Sequence, residues 1–182
     1  MQYARQITGR GFVFALVALC LFAVLTGVSR AQVIAFGASN VAGEGVSIDQ
    51  AWPAQLERLL REKGYQVHVE NEGEAGDTTK DMLDRLDSSI PAGTTVVILD
   101  YSGGFYNNRK FGIPYDKGVA DMKAIGARLR SRGIKIVPEI TLRMPENLKQ
   151  SDHVHLTAEG HRQFAAKLLP WVIAALGNAN SG

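Results

Sequence analysis

The strongest constraint on the fold is an alternation of four short apolar runs with stretches of helical periodicity. The first run, VIAF at residues 33–36, is too short for a helix and carries β-branched side chains, so it predicts a buried strand. Trp52, Leu56, Leu59 and Leu60 then recur at i, i+4, i+7 and i+8, one face of a helix. Pro53 suits its first turn and Gly64 its end. YQVHVEN alternates Val67 and Val69 with polar residues, a second strand, and Met82, Leu83 and Leu86 form a helical stripe in the segment from Thr78. TTVVILDY reads as a strand buried on both faces. A helix over about residues 116–132 carries Val119, Met122, Ile125 and Leu129 and is closed by Gly133. IKIVPEI is a fourth strand, and Pro138, which cannot donate to a ladder, predicts an edge position for it. The last helix opens with Thr157 as N-cap and places Phe164, Leu168 and Val172 four apart, with Pro170 expected to kink or split it.

This order of elements predicts a parallel sheet with helices on both faces, a flavodoxin-like three-layer α/β/α sandwich with a short sheet of four or five strands. About a dozen residues separate the fourth strand from Asp152, too few for another helix and strand, which favours four. Right-handed crossovers gather the loops that follow the strands on one rim, where ligands bind in such sheets.

The chain has 182 residues, of which 46% are hydrophobic, and shows no internal repeat or linker, so residues 32–182 are expected to form a single domain. Residues 1–31 read as a secretory signal. Arg5 and Arg10 precede an apolar run from Phe12 to Val28, and Ser29-Arg30-Ala31 supplies a small-x-small cleavage site. An uncleaved anchor is the alternative, because the run is near the lower limit for a spanning helix. Cys20 follows Leu19, not the small residue a lipoprotein signal needs. The expected location is periplasmic or secreted, with membrane contact only through this segment if it is retained. The full chain has 20 Lys and Arg against 18 Asp and Glu; without Arg5, Arg10 and Arg30 the balance is 17 against 18. A nucleic-acid partner therefore loses its electrostatic basis. The only cysteine leaves with the signal, and four histidines without cysteine make a poor zinc set, so no metal is expected. A monomer is expected.

The rim is where chemistry is expected. Ser39 follows the first strand in GASN, Gly76 follows the second in GEAGD, and SGGFYNN follows the third. Asp152 and His155 stand three apart just before the last helix. A serine hydroxyl needs a base to become a nucleophile, and the base works best when a carboxylate fixes its tautomer. The backbone N–H groups of Ser39 and Gly76, with an asparagine side chain from the third loop, are candidate donors to an oxyanion. His153 should point away from this site. His161 reads as an exposed polar residue, His68 as structural, and Asp77 as the N-cap of the following helix. Gly103-Gly104 and Gly43-x-Gly45 match no phosphate-binding spacing, and GASNV lacks the second glycine of a Gly-x-Ser-x-Gly elbow.

With these residues in this order, residues 32–182 resemble the SGNH (GDSL-type) hydrolases. FGASN takes the place of the GDSL block, with Ala38 for Asp and Asn40 for Leu; NEGEAGDTT matches the glycine block at Gly76, and DHVHLTAEGH the Asp-x-x-His block. AWPAQLERLL is similar to the first helix of the secreted thioesterase/lysophospholipase branch. The third block, normally Gly-x-Asn-Asp, departs. Aligning the glycines puts Phe105 in the asparagine place; aligning the following Arg-Lys puts Asn107 and Asn108 there, which is the preferred alignment. The resemblance implies a serine esterase with Ser39, His155 and Asp152 as triad and Ser39, Gly76 and Asn107 as oxyanion donors. It would cleave an aryl, short-chain acyl, thioester or lysophospholipid ester without a cofactor. The short chain favours small or exposed esters. A weak or silent member that binds an acylated sugar or lipid, and a carbohydrate O-acetyl esterase, are the alternatives.

Overall fold

The computed structural model describes residues 32–177, so the signal expected at residues 1–31 lies outside the described residues. β1 (Gln32–Gly37), β2 (His68–Gly73), β3 (Thr94–Asp100) and β4 (Lys135–Glu139) form one sheet in the order β2-β1-β3-β4. Every neighbouring pair is parallel. The crossovers contain α2 (Trp52–Glu62), α3 (Thr79–Ser89) and α5 (Tyr115–Ser131), and α6 (Ala158–Leu176) follows β4. Two shorter helices, α1 (Ser39–Ala42) and α4 (Gly103–Lys110), stand where the sequence suggests loops.

Side chains alternate across the two central strands. Val33, Ala35, Val96 and Ile98 face one layer, against Trp52, Leu56 and Leu60 of α2 and Phe164, Leu168 and Val172 of α6. Ile34, Phe36, Val97 and Leu99 face the other, against Met82 and Leu86 of α3 and Met122, Ile125 and Leu129 of α5. Burial on both faces is why these strands are continuous apolar runs rather than alternating ones, each large side chain contributing roughly 1.5–3 kcal/mol. β4 is an edge strand with Pro138 in register with Leu99, as its missing donor requires.

Two local expectations are corrected. Asp77 does not cap α3: the Thr78 hydroxyl accepts the Asp81 N–H at 3.2 Å while Asp81 accepts the Thr78 N–H at 3.0 Å, a reciprocal capping box. Nor does Pro170 split α6, which runs unbroken from Ala158 to Leu176. Pro170 and Ala166, whose carbonyl loses its helical donor, are both exposed, and water can take that carbonyl.

In this strand order the chain leaves β1 toward β2 on one side and occupies β3 on the other, so a crevice opens beyond the carboxyl end of β1. Ser39 stands there, between the ends of β2 and β3.

Candidate active site

β1 ends at Gly37, where a Cβ would lie 2.2 Å from the Asp100 Cβ; only glycine lets the ends of β1 and β3 approach this closely. The backbone turns at Ala38 and enters α1 with Ser39 as its first residue. The first N–H groups of a helix have no intrahelical acceptor. That of Ser39 meets none among the described residues, and neither does that of Gly76, whose φ of +89° in the turn after β2 suits glycine.

The opposite wall comes from the segment before α6. After β4 the chain makes two 3₁₀ turns, Thr141–Arg143 and Glu146–Leu148, and reaches Asp152. His155 Nε2 lies 2.9 Å from Ser39 Oγ, and His155 Nδ1 contacts Asp152 Oδ2. Asp152 Oδ1 accepts the Val154 N–H at 2.9 Å and the His155 N–H at 3.0 Å. Partial burial opposes ionisation of Asp152, but these three hydrogen bonds outweigh it and hold its pKa down to about 2. An ionised Asp152 claims the Nδ1 proton, which leaves Nε2 as the acceptor facing the serine hydroxyl.

Asn40, buried beside the serine, fastens the two walls together. Its Nδ2 donates to the Val154 carbonyl at 3.1 Å and its Oδ1 accepts the Leu156 N–H at 3.0 Å, so one amide grips both neighbours of His155. Arg85 does similar work beneath the glycine turn. Its Nε pairs with Asp77 Oδ2 at 2.6 Å, its Nη2 donates to the Gly37 and Glu72 carbonyls, and its guanidinium lies over the Phe36 ring. Burial raises the Asp77 pKa, opposed by Arg85.

The third segment is α4, and it separates the three residues that the two alignments offer at the asparagine and following places. Asn107 lines the cleft with Ser39 and Gly76 and gives one N–H to the Asp77 carbonyl at 2.7 Å, leaving a second. Asn108 turns away: its amide donates to Thr79 Oγ1 at 2.8 Å and accepts the Thr79 N–H at 3.1 Å. Phe105 stacks on Tyr115. The resulting cleft, of about 400 Å³, is also bordered by Tyr106 and Lys110.

The remaining histidines lie elsewhere. His153 pairs with Glu146 at 3.1 Å and His68 with Glu57 at 2.7 Å, both exposed. His161 is a correction: it is fully buried rather than exposed, and its Nδ1 accepts the Trp52 N–H at 3.2 Å. Burial, and secondarily charge on His155, lower its pKa to about 4. Sequence reasoning missed the roles of Asn40, Arg85 and Asp100. Only Asp100 carried a signal, an acid closing the most apolar strand in the chain.

The family described as GDSL-like lipase/acylhydrolase matches residues 35–154. An arylesterase of Vibrio mimicus is 29% identical over 134 residues, 72% of this chain, and the match spans just under two thirds, 66%, of that relative's length. Among solved structures, TesA superposes with a TM-score of 0.71 at 18% identity, over 79% of this chain and 99% of that one. AlinE4, an SGNH-hydrolase family esterase, superposes with a TM-score of 0.59 at 24% identity, over 81% and 97%.

Proposed function

Since the chain belongs to the GDSL-like lipase/acylhydrolase family, we propose that it hydrolyses carboxylic esters through an acyl-enzyme formed on Ser39. The observation that carries this reading is the connected line from Asp152 through His155 to Ser39, open to the cleft. Ser39 Oγ attacks the ester carbonyl as His155 Nε2 takes its proton, and Asp152 stabilises the imidazolium that results. The oxyanion is met by the free N–H groups of Ser39 and Gly76 and the second N–H of Asn107. Collapse expels the alcohol, which takes the proton from His155, and water then releases the acid by the same steps in reverse roles.

Small or exposed esters, aryl or short-chain acyl, are the favoured substrates. The cleft is bordered by single side chains of α4 and the Asp152–His155 segment, and the arylesterase relative supports the same class. Thioesters and lysophospholipids are the longer-chain extension of this reading. A secreted or periplasmic location accompanies it, on the basic, apolar, small-x-small order of residues 1–31. The test is fluorophosphonate labelling of the protein beside its Ser39→Ala variant. Labelling of the parent alone is expected; absent labelling, or labelling unchanged in the variant, removes the nucleophile. Turnover of long-chain lysophospholipid with little on acetyl and butyryl esters would overturn the substrate class.

A further inference from the structure

Behind Ser39 lies a buried pair of acids with no part in the acyl transfer. Asp100 ends β3 and Glu139 ends β4, and the two stand in register across the sheet. Asp100 is 1% exposed and Glu139 0%, their carboxyls lie within hydrogen-bonding range, and no cation faces Glu139 among the described residues. Two adjacent carboxylates cannot both ionise in so dry a place, so one proton stays between them.

The donors around the pair decide where it sits. Asp100 Oδ2 accepts the Ala38 N–H at 3.0 Å, and Oδ1 accepts the Ser102 and Gly103 N–H groups at 2.6 and 2.8 Å. Glu139 Oε1 accepts one N–H, from Thr141 at 3.2 Å, the Thr141 hydroxyl is the other donor beside this carboxyl, and Oε2 makes no hydrogen bond among the described residues, so Glu139 has fewer donors than Asp100. The negative charge therefore belongs on Asp100 and the proton on Glu139, whose otherwise orphaned oxygen then donates to Asp100. Two glycines keep the slot clear for this carboxylate. A Cβ at Gly37 would lie 2.2 Å from the Asp100 Cβ, and one at Gly103 would lie 2.5 Å from Oδ2.

We propose that Asp100 and Glu139, sharing one proton, are the positioning pair of the nucleophile. Through Asp100 they bind the backbone just before Ser39 to the start of α4, and so set Ser39 against the helix that brings Asn107 to the cleft. Neither acid touches substrate. This rests on Ser39 being the nucleophile, and it explains why a buried acid is held at the end of an apolar strand.

Asp100→Asn turns an NH₂ toward backbone N–H groups. Its kcat should fall about ten- to a hundredfold with KM within about twofold, and Ser39 labelling by fluorophosphonate should slow in proportion. Glu139→Ala should behave alike, while Glu139→Gln, which still donates to Asp100, recovers most of the loss. A pair that only supported the fold would lower the melting temperature in all three variants and leave kcat of the folded enzyme unchanged. That result, or Glu139→Gln as impaired as Glu139→Ala, overturns the proposal. Should Asp100→Asn not fold, carboxyl ¹³C NMR of the parent decides, with the Glu139 signal assigned by its absence in Glu139→Gln. A protonated Glu139 at neutral pH is expected, and an ionised one overturns the proposal. Failure of the parent to label at Ser39 would break the esterase reading while leaving the NMR result intact.

Discussion

The two walls of the cleft are held by opposite means. The Ser39 wall is fixed from inside the protein: Asp100 gathers three backbone N–H groups and Arg85 reaches two carbonyls and a carboxylate, all around the buried ends of β1, β2 and β3. The His155 wall lies closer to solvent. The Asp152 side chain is 44% exposed, so its charged hydrogen bonds to the Val154 and His155 N–H groups are screened by water, and the rest of the segment depends on short backbone hydrogen bonds, the Gln150 side chain and the Asn40 amide. Charged hydrogen bonds in a low-dielectric interior are strong and rigid, whereas a neutral hydrogen bond nets about 1 kcal/mol. Damage to the first wall should therefore appear in folding as well as rate, and damage to the second mainly in rate.

Substitutions that remove a reacting group give the largest expected separation. His155→Ala should lower kcat by about 10⁴-fold or more while barely moving the melting temperature, because the lost side chain is partly exposed and structurally lightly used. Asn107→Ala should cost about 10²–10³ in kcat. Its neighbour sharpens the comparison: Asn108→Ala leaves the buried Thr79 N–H without its acceptor, though the Thr79 hydroxyl keeps Asp121 Oδ2 at 2.8 Å, and should cost about 1–3 kcal/mol of stability, with kcat of the folded enzyme little changed. Denaturant melts and steady-state kinetics on the two variants check this, and equal kinetic loss in both would break the distinction between them.

Asn40 belongs to both walls. Asn40→Ala releases the Val154 carbonyl and the Leu156 N–H on either side of His155, so the imidazole should wander from Ser39. A displacement near 1 Å is enough to cost about a hundredfold in kcat, and the unpaired buried groups about 1–3 kcal/mol in stability. Asn40→Asp keeps the acceptor for Leu156 but turns a carboxylate oxygen toward the Val154 carbonyl in a buried site, so it should be at least as impaired as Asn40→Ala. Wild-type kcat in Asn40→Ala would mean that the base segment positions itself.

What could be read from the sequence follows the range of each interaction. The sheet was legible because β1 and β3 are buried on both faces, and the helices because their stripes repeat within a turn. Ser39, Asp152 and His155 stood out because each sits in a short local pattern at an element's end. The supports did not, because they are non-local: Ala38 meets Asp100 across 62 positions, Arg85 meets Gly37 across 48 and Asn40 meets Leu156 across 116. α4 was hidden for a related reason. Two glycines argue against a helix on propensity, yet Gly104 is needed there because a Cβ would press on Met82 Sδ at 3.0 Å and Thr79 Cγ2 at 3.2 Å.

His161 is the misread residue with a measurable consequence. It holds the Trp52 N–H across 109 positions, tying α6 to the start of α2, and it does so as a neutral ring. Its folded pKa of about 4 lies below the ordinary 6.5, so the unfolded chain takes up the proton first as pH falls. Stability from this group is complete above about pH 6.5, declines between 6.5 and 4 and is lost below that, a change of roughly 3 kcal/mol. Asp152, depressed to about 2, contributes its own loss only below about pH 4, so the two windows separate. In His161→Gln the side-chain oxygen can still accept the Trp52 N–H but cannot titrate. Urea melts at pH 7 and pH 4.5 should show the parent losing roughly 3 kcal/mol relative to His161→Gln; the protonated Glu139 favours the folded state as pH falls, but it does so equally in both proteins and cancels in the difference. A parent whose stability changes over that window just as the variant's does would mean that His161 is already open to water.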